Sequence, residues 1–433
     1  MSKELNAFIT TYLQYRVIFG IDEILKLKSQ KRLYLDANAT YGLLPEVTDS
    51  LTQFLENFRS KPFLNPSSIH LEGQSPRAIV DEARSQLYVQ CGLQENTHRI
   101  FFTSGATEGN NHALAYPFRD LDTPDRHPRK VVTTSVEHSS VEEPMRQLEQ
   151  RGVEIIRIHP EEEDTLSVDD VLAAVDEDTR LLSLIWANNE TGIIHPVPEI
   201  FRRVRERYPN CLLHTDAVQM FSKCKVNLKS FPFDFLTIAP HKFGALPGIG
   251  VSIVNAQREL GALLVGGAQE LKWRPGTENL LGIVSTSSAL KVLPKILQSY
   301  ENSIRYIRDE FEQSITERYS SISIVGGDCE ERLPNTSMLY IPGVSTEDLV
   351  VALDLEGLAC SRGSACSSGK QLGSHVLGGM SYPKSAATEV LRFSFRADFP
   401  KEELKTVLER LFLCLDRSGV ATTVEESATL SPQ

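Results

Sequence analysis

The feature that most constrains this chain is a regular alternation of short apolar runs and amphipathic runs between about residues 98 and 240. The apolar runs are rich in β-branched and aromatic residues, which is typical of strands, and the runs between them have helical spacing. Strands that alternate with helices at this pitch predict an α/β fold with a mostly parallel sheet and right-handed crossovers. The predicted strands are 99–103, 130–134, 153–158, 180–186, 211–214 and 233–238.

The length of the chain and a change of pattern predict two domains. A chain of 433 residues exceeds what one hydrophobic core usually supports. After about residue 295, a long charged helix leads into short strands, which indicates a smaller α+β domain. We predict a large domain at 46–295, a small α+β domain formed by 31–45 and 296–418, a helical extension at 1–30 and a mobile tail at 419–433.

The composition excludes several classes of protein. Lys and Arg total 45 against 57 Asp and Glu, and the net charge of −12 disfavours direct nucleic-acid binding because it repels phosphate groups. The most apolar stretch that we identify, 181–197, is interrupted by polar residues, and residues 1–30 do not resemble a signal peptide, so we expect no membrane contact. The seven cysteines are scattered without C-x-x-C spacing, so we expect a reducing cytoplasm, no disulfides and no metal site.

A polar cluster follows each of five predicted strands at its carboxyl end. In open parallel sheets, ligands bind outside these ends, so we expect the clusters to meet at one edge of the sheet. Together they contain one lysine, carboxylates, amides, imidazoles and hydroxyls. The clusters are 103–108, 135–138, 187–192, 215–219 and 239–242.

Each cluster by itself also has an ordinary structural interpretation. Residues 104–107 could be a turn with a helix cap, His138 an exposed histidine, Asp216 a helix cap and Lys242 a solvated lysine. Together they match what pyridoxal phosphate requires: an anion-binding helix N-terminus, an acidic partner for the ring nitrogen, a flat group over the ring and a lysine. A dinucleotide site is not supported, because the glycines at 244–250 do not match G-x-G-x-x-G.

Ten short segments, in order along the chain, carry a resemblance to a known family. They are 34–40, 65–70, 103–108, 137–138, 188–192, 216–219, 241–242, 274–279, 363–366 and 392–394. With them the chain resembles the cysteine desulfurases of the NifS/IscS-like group, within the class V (fold-type I) pyridoxal-phosphate aminotransferase superfamily. The resemblance implies the fold of that superfamily, a mostly parallel seven-stranded sheet covered by helices and joined to a smaller α+β domain.

The resemblance also implies which residues hold pyridoxal 5'-phosphate. Lys242 would form the Schiff base, His138 would stack on the ring and take part in acid–base steps, and Asp216 would pair with the ring nitrogen. In the family, a threonine that matches Thr277 reaches the phosphate of the neighbouring subunit, which implies a homodimer with shared sites. The other implied cofactor-binding residues are Ala106, Thr107, Asn189, Gln219 and His241.

The implied reaction takes sulfur from L-cysteine and leaves L-alanine. Arg392 would bind the substrate carboxylate, with Asn189 and Asn38 as further substrate-binding residues. Cys366 would be the nucleophile, because only a thiolate can accept the sulfur as a persulfide. Cys366 lies in a Gly/Ser-rich stretch with few apolar neighbours, which is not typical of a buried structural cysteine. An acceptor protein would then receive the sulfur for pathways such as iron–sulfur cluster assembly, the synthesis of other sulfur-containing cofactors or nucleic-acid modification.

The chain departs from the family pattern at two places near the predicted lysine, and two alternative functions stay open. Ala239 stands where the family often has a serine, and residues 244–247 replace the usual aromatic-Gly-Pro-Lys run after the lysine. The alternatives are a selenocysteine or cystine lyase of the same superfamily, and a non-catalytic relative that serves as a sulfur-transfer platform.

Overall fold

The structure is a computed structural model that describes residues 31–59, 65–119, 130–160, 164–258, 261–363 and 373–423. The predicted helical extension at 1–30, the predicted nucleophile Cys366 and residues 424–433 of the predicted tail lie outside the described residues.

Twelve strands and twelve α-helices lie within the described residues. The strands are β1 (Leu33–Tyr34), β2 (His98–Thr103), β3 (Lys130–Thr134), β4 (Glu154–Ile158), β5 (Thr179–Ile185), β6 (Leu212–Asp216), β7 (Phe235–Ile238), β8 (Gly250–Asn255), β9 (Ser323–Ile324), β10 (Thr336–Tyr340), β11 (Leu358–Ala359) and β12 (Val390–Ser394). The helices are α1 (Pro45–Phe58), α2 (Leu71–Cys91), α3 (Ala106–Ala115), α4 (Ser139–Gln150), α5 (Val168–Ala174), α6 (Val197–Arg207), α7 (Val218–Lys223), α8 (Leu280–Ser299), α9 (Arg305–Arg318), α10 (Thr346–Leu355), α11 (His375–Gly378) and α12 (Leu404–Arg417).

The central sheet has seven strands in the order β2-β8-β7-β6-β5-β3-β4. All its neighbouring strands are parallel except β8, which runs antiparallel to both β2 and β7. The predicted α/β fold with a mostly parallel seven-stranded sheet is therefore confirmed. All six strands predicted from the alternation are present, whereas β8 did not appear among the predicted strands.

Burial on both faces explains why the central strands are apolar throughout. Along β5, Leu182 and Leu184 pack into the larger hydrophobic core, while Leu181 packs into a second core on the opposite face. Because successive side chains of a strand point to opposite faces, a strand covered on both sides needs a continuous apolar run. Helices on both faces provide that cover.

Strand β12 brings distant parts of the chain to the carboxyl edge of the central sheet. It pairs with β10 in a three-stranded antiparallel sheet, and single bridges join Ser394 to Asp36 and Arg392 to Ser361. Residues before the large sheet and residues near the end of the chain thus meet at one place. The domain boundaries at 45/46 and 295/296 stay predictions.

One helical run within the described part of the chain, Leu280–Arg318, is long and apolar enough by length and composition to cross a membrane. Its most apolar window is 61% buried inside the protein, and Ile283, Leu290 and Leu293 belong to the main core. This burial is what a core helix of a globular fold shows. The prediction that 181–197 is the most apolar stretch was wrong, because the apolar residues of α8 are interrupted by the hydroxyl residues at 285–288 and do not form a continuous run.

Candidate active site

A cavity of about 330 Å³ opens at the carboxyl ends of the central strands. Its walls come from the ends of β5, β6 and β7, from the start of α3 and from β12. Ten of the predicted site residues line it: Asn38, Ala106, Thr107, His138, Asn189, Asp216, Gln219, His241, Lys242 and Arg392.

The start of α3 provides an anion-binding end. The helix begins at Ala106, and its N-cap residue, Gly105, has no side chain that could cap the first N–H groups. Thr107 adds a hydroxyl to the cavity wall. Opposite, β8 passes so closely that a Cβ on Gly250 would lie 2.4 Å from the carbonyl carbon of Gly105. Uncapped N–H groups and the helix dipole attract an anion, and the small residues let it approach.

Asp216 is held in place at the end of β6. It is 5% exposed, and its two carboxylate oxygens accept hydrogen bonds from the Val218 N–H at 3.0 Å and the Asn110 side-chain amide at 2.8 Å. These bonds fix the direction of the carboxylate within the cavity wall. An acid in this position can pair with a protonated ring nitrogen.

His138 caps α4 and lines the cavity. Its Nδ1 accepts a hydrogen bond from the Ser140 N–H at 3.1 Å and lies 2.8 Å from the Ser140 hydroxyl. Burial lowers the pKa of His138, and the charge of Lys242 lowers it further, against the opposing effect of Asp216. Because Nδ1 accepts a backbone N–H, this bonding assigns the proton of the neutral ring to Nε2.

Lys242 lies on a short 3-10 turn, Pro240–Phe243, directly after β7. Its amine donates hydrogen bonds to the backbone carbonyls of Asn38 and Ala39, each at 2.7 Å. Burial lowers the pKa of neighbouring His241 to about 3, and the charges of Lys242 and Lys223 contribute to this. His241 is therefore neutral and can donate one ring N–H.

The amide side chains of Gln219 and Asn38 both line the cavity, but they differ in whether they have a hydrogen-bonding group available for a ligand. Gln219 donates to the Asn38 carbonyl at 3.1 Å, while its buried Oε1 has no hydrogen-bond partner within the described part of the chain. An unpartnered buried oxygen is the kind of atom that a ligand satisfies. The side chain of Asn38 is committed to the protein, because its amide hydrogens go to Asn189 O and Thr336 Oγ1 and its oxygen accepts from Asn335. A substrate would have to compete for it.

Arg392 is almost completely buried in the cavity wall, with 1% exposure. Its guanidinium donates to the carbonyls of Asn189 at 2.9 Å and Gly363 at 3.3 Å, and to the Asp36 carboxylate at 2.7 Å. A buried guanidinium facing a cavity is suited to binding a carboxylate.

Two residues that the sequence analysis did not single out also line the cavity. Burial raises the pKa of Glu190, which accepts a hydrogen bond from the Ser374 hydroxyl at 2.6 Å. The Nε2 of His375 lies 2.8 Å from the Glu137 carbonyl oxygen, to which it donates. Glu190 lies within a quoted motif and could have been noticed, whereas His375 belongs to no motif and no sequence signal indicated it.

Two predicted site residues are not seen in this cavity. Thr277 is exposed and does not line the cavity of its own chain. Cys366 lies outside the described residues. The cavity fits pyridoxal phosphate in size, and the groups that line it fit its chemistry. These groups are the uncapped start of α3, the Asp216 carboxylate, the unpartnered Gln219 oxygen and the Lys242 amine.

Comparison with known proteins agrees with this fit. The family model for class V aminotransferases matches residues 33–407. The chain therefore belongs to the class V aminotransferase family, and it is a pyridoxal-phosphate-dependent enzyme.

Relatives within the family match nearly the whole chain. It is 34% identical over 406 residues to the cysteine desulfurase IscS of Dictyoglomus turgidum, covering 93% of this chain and 97% of that protein. It is 35% identical over 385 residues to the putative cysteine desulfurase IscS 1 of Bacillus subtilis, covering 88% and 98%.

Solved structures give the same result. A NifS-like protein has a TM-score of 0.80 at 27% identity, covering 89% of this chain and 100% of that one. The structure of SspA in complex with cysteine has a TM-score of 0.71 at 27% identity, covering 84% and 99%.

Proposed function

We propose that the chain is a cysteine desulfurase, which converts L-cysteine to L-alanine and collects the sulfur as a persulfide on Cys366. The observation that carries the proposal is that Lys242, Asp216, His138 and Arg392 line one cavity of about 330 Å³. Relatives named cysteine desulfurase match this chain over nearly its full length, which supports the choice of substrate.

The cavity residues divide into cofactor holders and proton carriers. When bound, pyridoxal phosphate supplies an electron-withdrawing ring and an aldehyde carbon that bonds to amines. The start of α3, with Ala106 and Thr107, would hold the phosphate, and neutral His241 would donate to it. Asp216 would keep a proton on the ring nitrogen. Gln219 and Asn189 would bond polar atoms at the edge of the ring.

The substrate would be bound and deprotonated by three side chains. Arg392 would bind the α-carboxylate and thereby orient the α-carbon. The amine of Lys242, once it leaves the carbonyls of Asn38 and Ala39, would take the α-proton. The Nε2 of His138 would hold or move a second proton.

Sulfur transfer would use the thiolate of Cys366. The thiolate attacks the substrate sulfur, an S–S bond forms, and the bond from Cβ to sulfur breaks with its electron pair going to carbon. The carbon product takes up protons and leaves as L-alanine. The persulfide then passes its outer sulfur to a thiol of an acceptor protein by exchange.

We further propose a homodimer in a reducing cytoplasm. Thr277 is exposed and lies outside the cavity of its own chain, which supports a contact with the cofactor phosphate of a second subunit. Five cysteines within the described residues are free thiols, which supports a reducing compartment: Cys91, Cys211, Cys224, Cys360 and Cys414. The acidic net charge supports delivery of sulfur through a protein rather than by direct contact with nucleic acid.

The experiment compares three variants of the purified holoprotein with L-cysteine as substrate. Lys242→Ala should abolish the visible absorbance of the bound cofactor, and Cys366→Ala should abolish the formation of alanine with persulfide. Cys360→Ala is the matched control, because Cys360 lies just before the Gly/Ser-rich stretch that contains Cys366. Burial raises the pKa of the Cys360 thiol and disfavours the reactive thiolate, so this variant should keep activity.

The outcomes separate the proposed function from its rivals. Alanine and sulfide formed by Cys366→Ala at the unmodified rate would favour a cystine or selenocysteine lyase and contradict the desulfurase. A wild-type protein that binds no cofactor would favour the non-catalytic platform.

A further inference from the structure

Arg392 carries a positive charge that is almost wholly removed from water. A guanidinium buried to this extent destabilises the protein unless the charge is paired. Among the described residues, the one carboxylate hydrogen-bonded to it is that of Asp36, at 2.7 Å from Nη2. The free energy of this charge in the ligand-free protein therefore depends on Asp36.

Asp36 reaches Arg392 from outside the cavity. It is not among the residues that line the cavity, and 18% of its side chain is exposed. Its backbone is fixed by a bridge to Ser394 and by hydrogen bonds that its carbonyl accepts from the N–H groups of Ala39 and Thr40. A ligand carboxylate entering the cavity does not need to displace Asp36.

The direction of the guanidinium does not depend on Asp36 alone. Nη1 donates to the carbonyls of both Asn189 and Gly363, which fixes the plane of the group. Nε is buried and has no hydrogen-bond partner among the residues that the structure describes. Charge compensation is thus the main contribution that Asp36 makes, and one edge of the guanidinium keeps an N–H for a ligand.

We propose that Asp36 sets how tightly Arg392 holds a carboxylate: by balancing the buried charge in the ligand-free protein, it weakens the site enough for a carboxylate product to leave. This inference rests on the proposed function, in which substrate and product are both α-amino acids. Without Asp36 the guanidinium would lose the one carboxylate that is hydrogen-bonded to it among the described residues, so a ligand carboxylate would bind more tightly. A merely structural role would predict the opposite sign.

The test titrates ligands into the holoenzyme and follows the cofactor absorbance. L-Alanine carries the carboxylate, and ethylamine presents an amine without one. In Asp36→Asn we expect the Kd of L-alanine to fall about tenfold, as part of the cost of an unpaired buried charge is regained on binding, while that of ethylamine changes less than about twofold. Asp36→Ser, which leaves room for water, should behave in the same way if Asp36→Asn does not fold.

Asp398→Asn is the matched control. Asp398 also pairs with an arginine, Arg396, through two hydrogen bonds of 2.8 Å each, but its side chain is 65% exposed. Removing an exposed partner should leave both Kd values unchanged.

Three results would overturn the inference: L-alanine binding that weakens in Asp36→Asn, binding that does not change, or both ligands tightening equally. Persulfide formation from L-cysteine is measured separately. Tighter L-alanine binding in Asp36→Asn together with no persulfide on the wild type would contradict the proposed function and support the role of Asp36.

Discussion

Lys223 is a fully buried lysine at the end of α7, directly behind the proposed catalytic lysine. It is 1% exposed, and its amine donates to the Ser222 hydroxyl at 2.9 Å and to the backbone carbonyl of Lys242 at 3.1 Å. The ring of Tyr300 lies 5.8 Å from the amine. Burial lowers the pKa of Lys223 from 10.5 to about 7, and the charge of Lys242 contributes.

This shift makes the stability of the fold depend on pH in a defined direction. Between about pH 7 and pH 10.4, an unfolded chain holds the Lys223 proton and the folded chain does not. The free energy of unfolding should therefore rise with pH across this window by about 1.4 kcal/mol per pH unit, or about 5 kcal/mol in total. Below about pH 7 both states are protonated, and the penalty is complete and constant.

Lys223→Met removes the titrating group while keeping a buried chain of similar length. Urea unfolding of the reduced, cofactor-free protein is measured for wild type and variant at several pH values, so that other titrating groups cancel in the difference. The stability of the wild type minus that of the variant should rise by about 2 kcal/mol between about pH 7.5 and pH 9. Lys225→Met, at an exposed lysine paired with Glu301, should give a flat difference. A flat difference for Lys223→Met would refute the reasoning.

Three further predictions concern the turn after Lys242, a buried histidine and the carboxylate site. Gly244→Ala should lower the free energy of unfolding in urea by about 2–4 kcal/mol, because φ is +98° and a Cβ would lie 2.4 Å from Leu44 Cγ. Gly248→Ala should lower it by only about 1 kcal/mol, because φ is +84° but no atom lies near the new Cβ. Equal losses of stability in the two variants would contradict this prediction. Burial lowers the pKa of His214 to about 3, so below about pH 6.5 the unfolded chain binds a proton at this histidine and the folded chain does not. Between about pH 7 and pH 5 the free energy of unfolding of the wild type should therefore fall by about 2 kcal/mol more than that of His214→Gln. Parallel plots of stability against pH for the two proteins would contradict this prediction. Arg392→Gln should keep the cofactor absorbance and lower kcat/KM for L-cysteine about a hundredfold, and an unchanged value would remove Arg392 from the substrate site.

Much of the sheet could be predicted from the sequence because its strands obey one rule. Strands covered on both faces are continuous apolar runs, and 130–134 and 180–186 were placed within one residue of β3 and β5. Strand β8 was missed because it directly follows a glycine-rich stretch, which has the composition of a loop. Its antiparallel direction also breaks the strand–helix alternation on which the prediction was based.

The candidate site was predictable to the extent that it depends on strand ends. Asp216 and Lys242 follow strands directly, so the rule for parallel sheets places them together. Arg392 could be found only through the resemblance, because its strand belongs to another sheet. Its pairing with Asp36 joins residues 356 positions apart, and neither charge has a local sequence pattern that indicates the other.

The most direct test of the proposed reaction is the mass of the peptide that contains Cys366 after one equivalent of L-cysteine is added to the holoenzyme. The proposed reaction predicts one additional sulfur atom on that peptide together with one equivalent of L-alanine, and neither product in Lys242→Ala. Alanine formed in the wild type with an unmodified Cys366 peptide, all sulfur appearing as free sulfide, would contradict it.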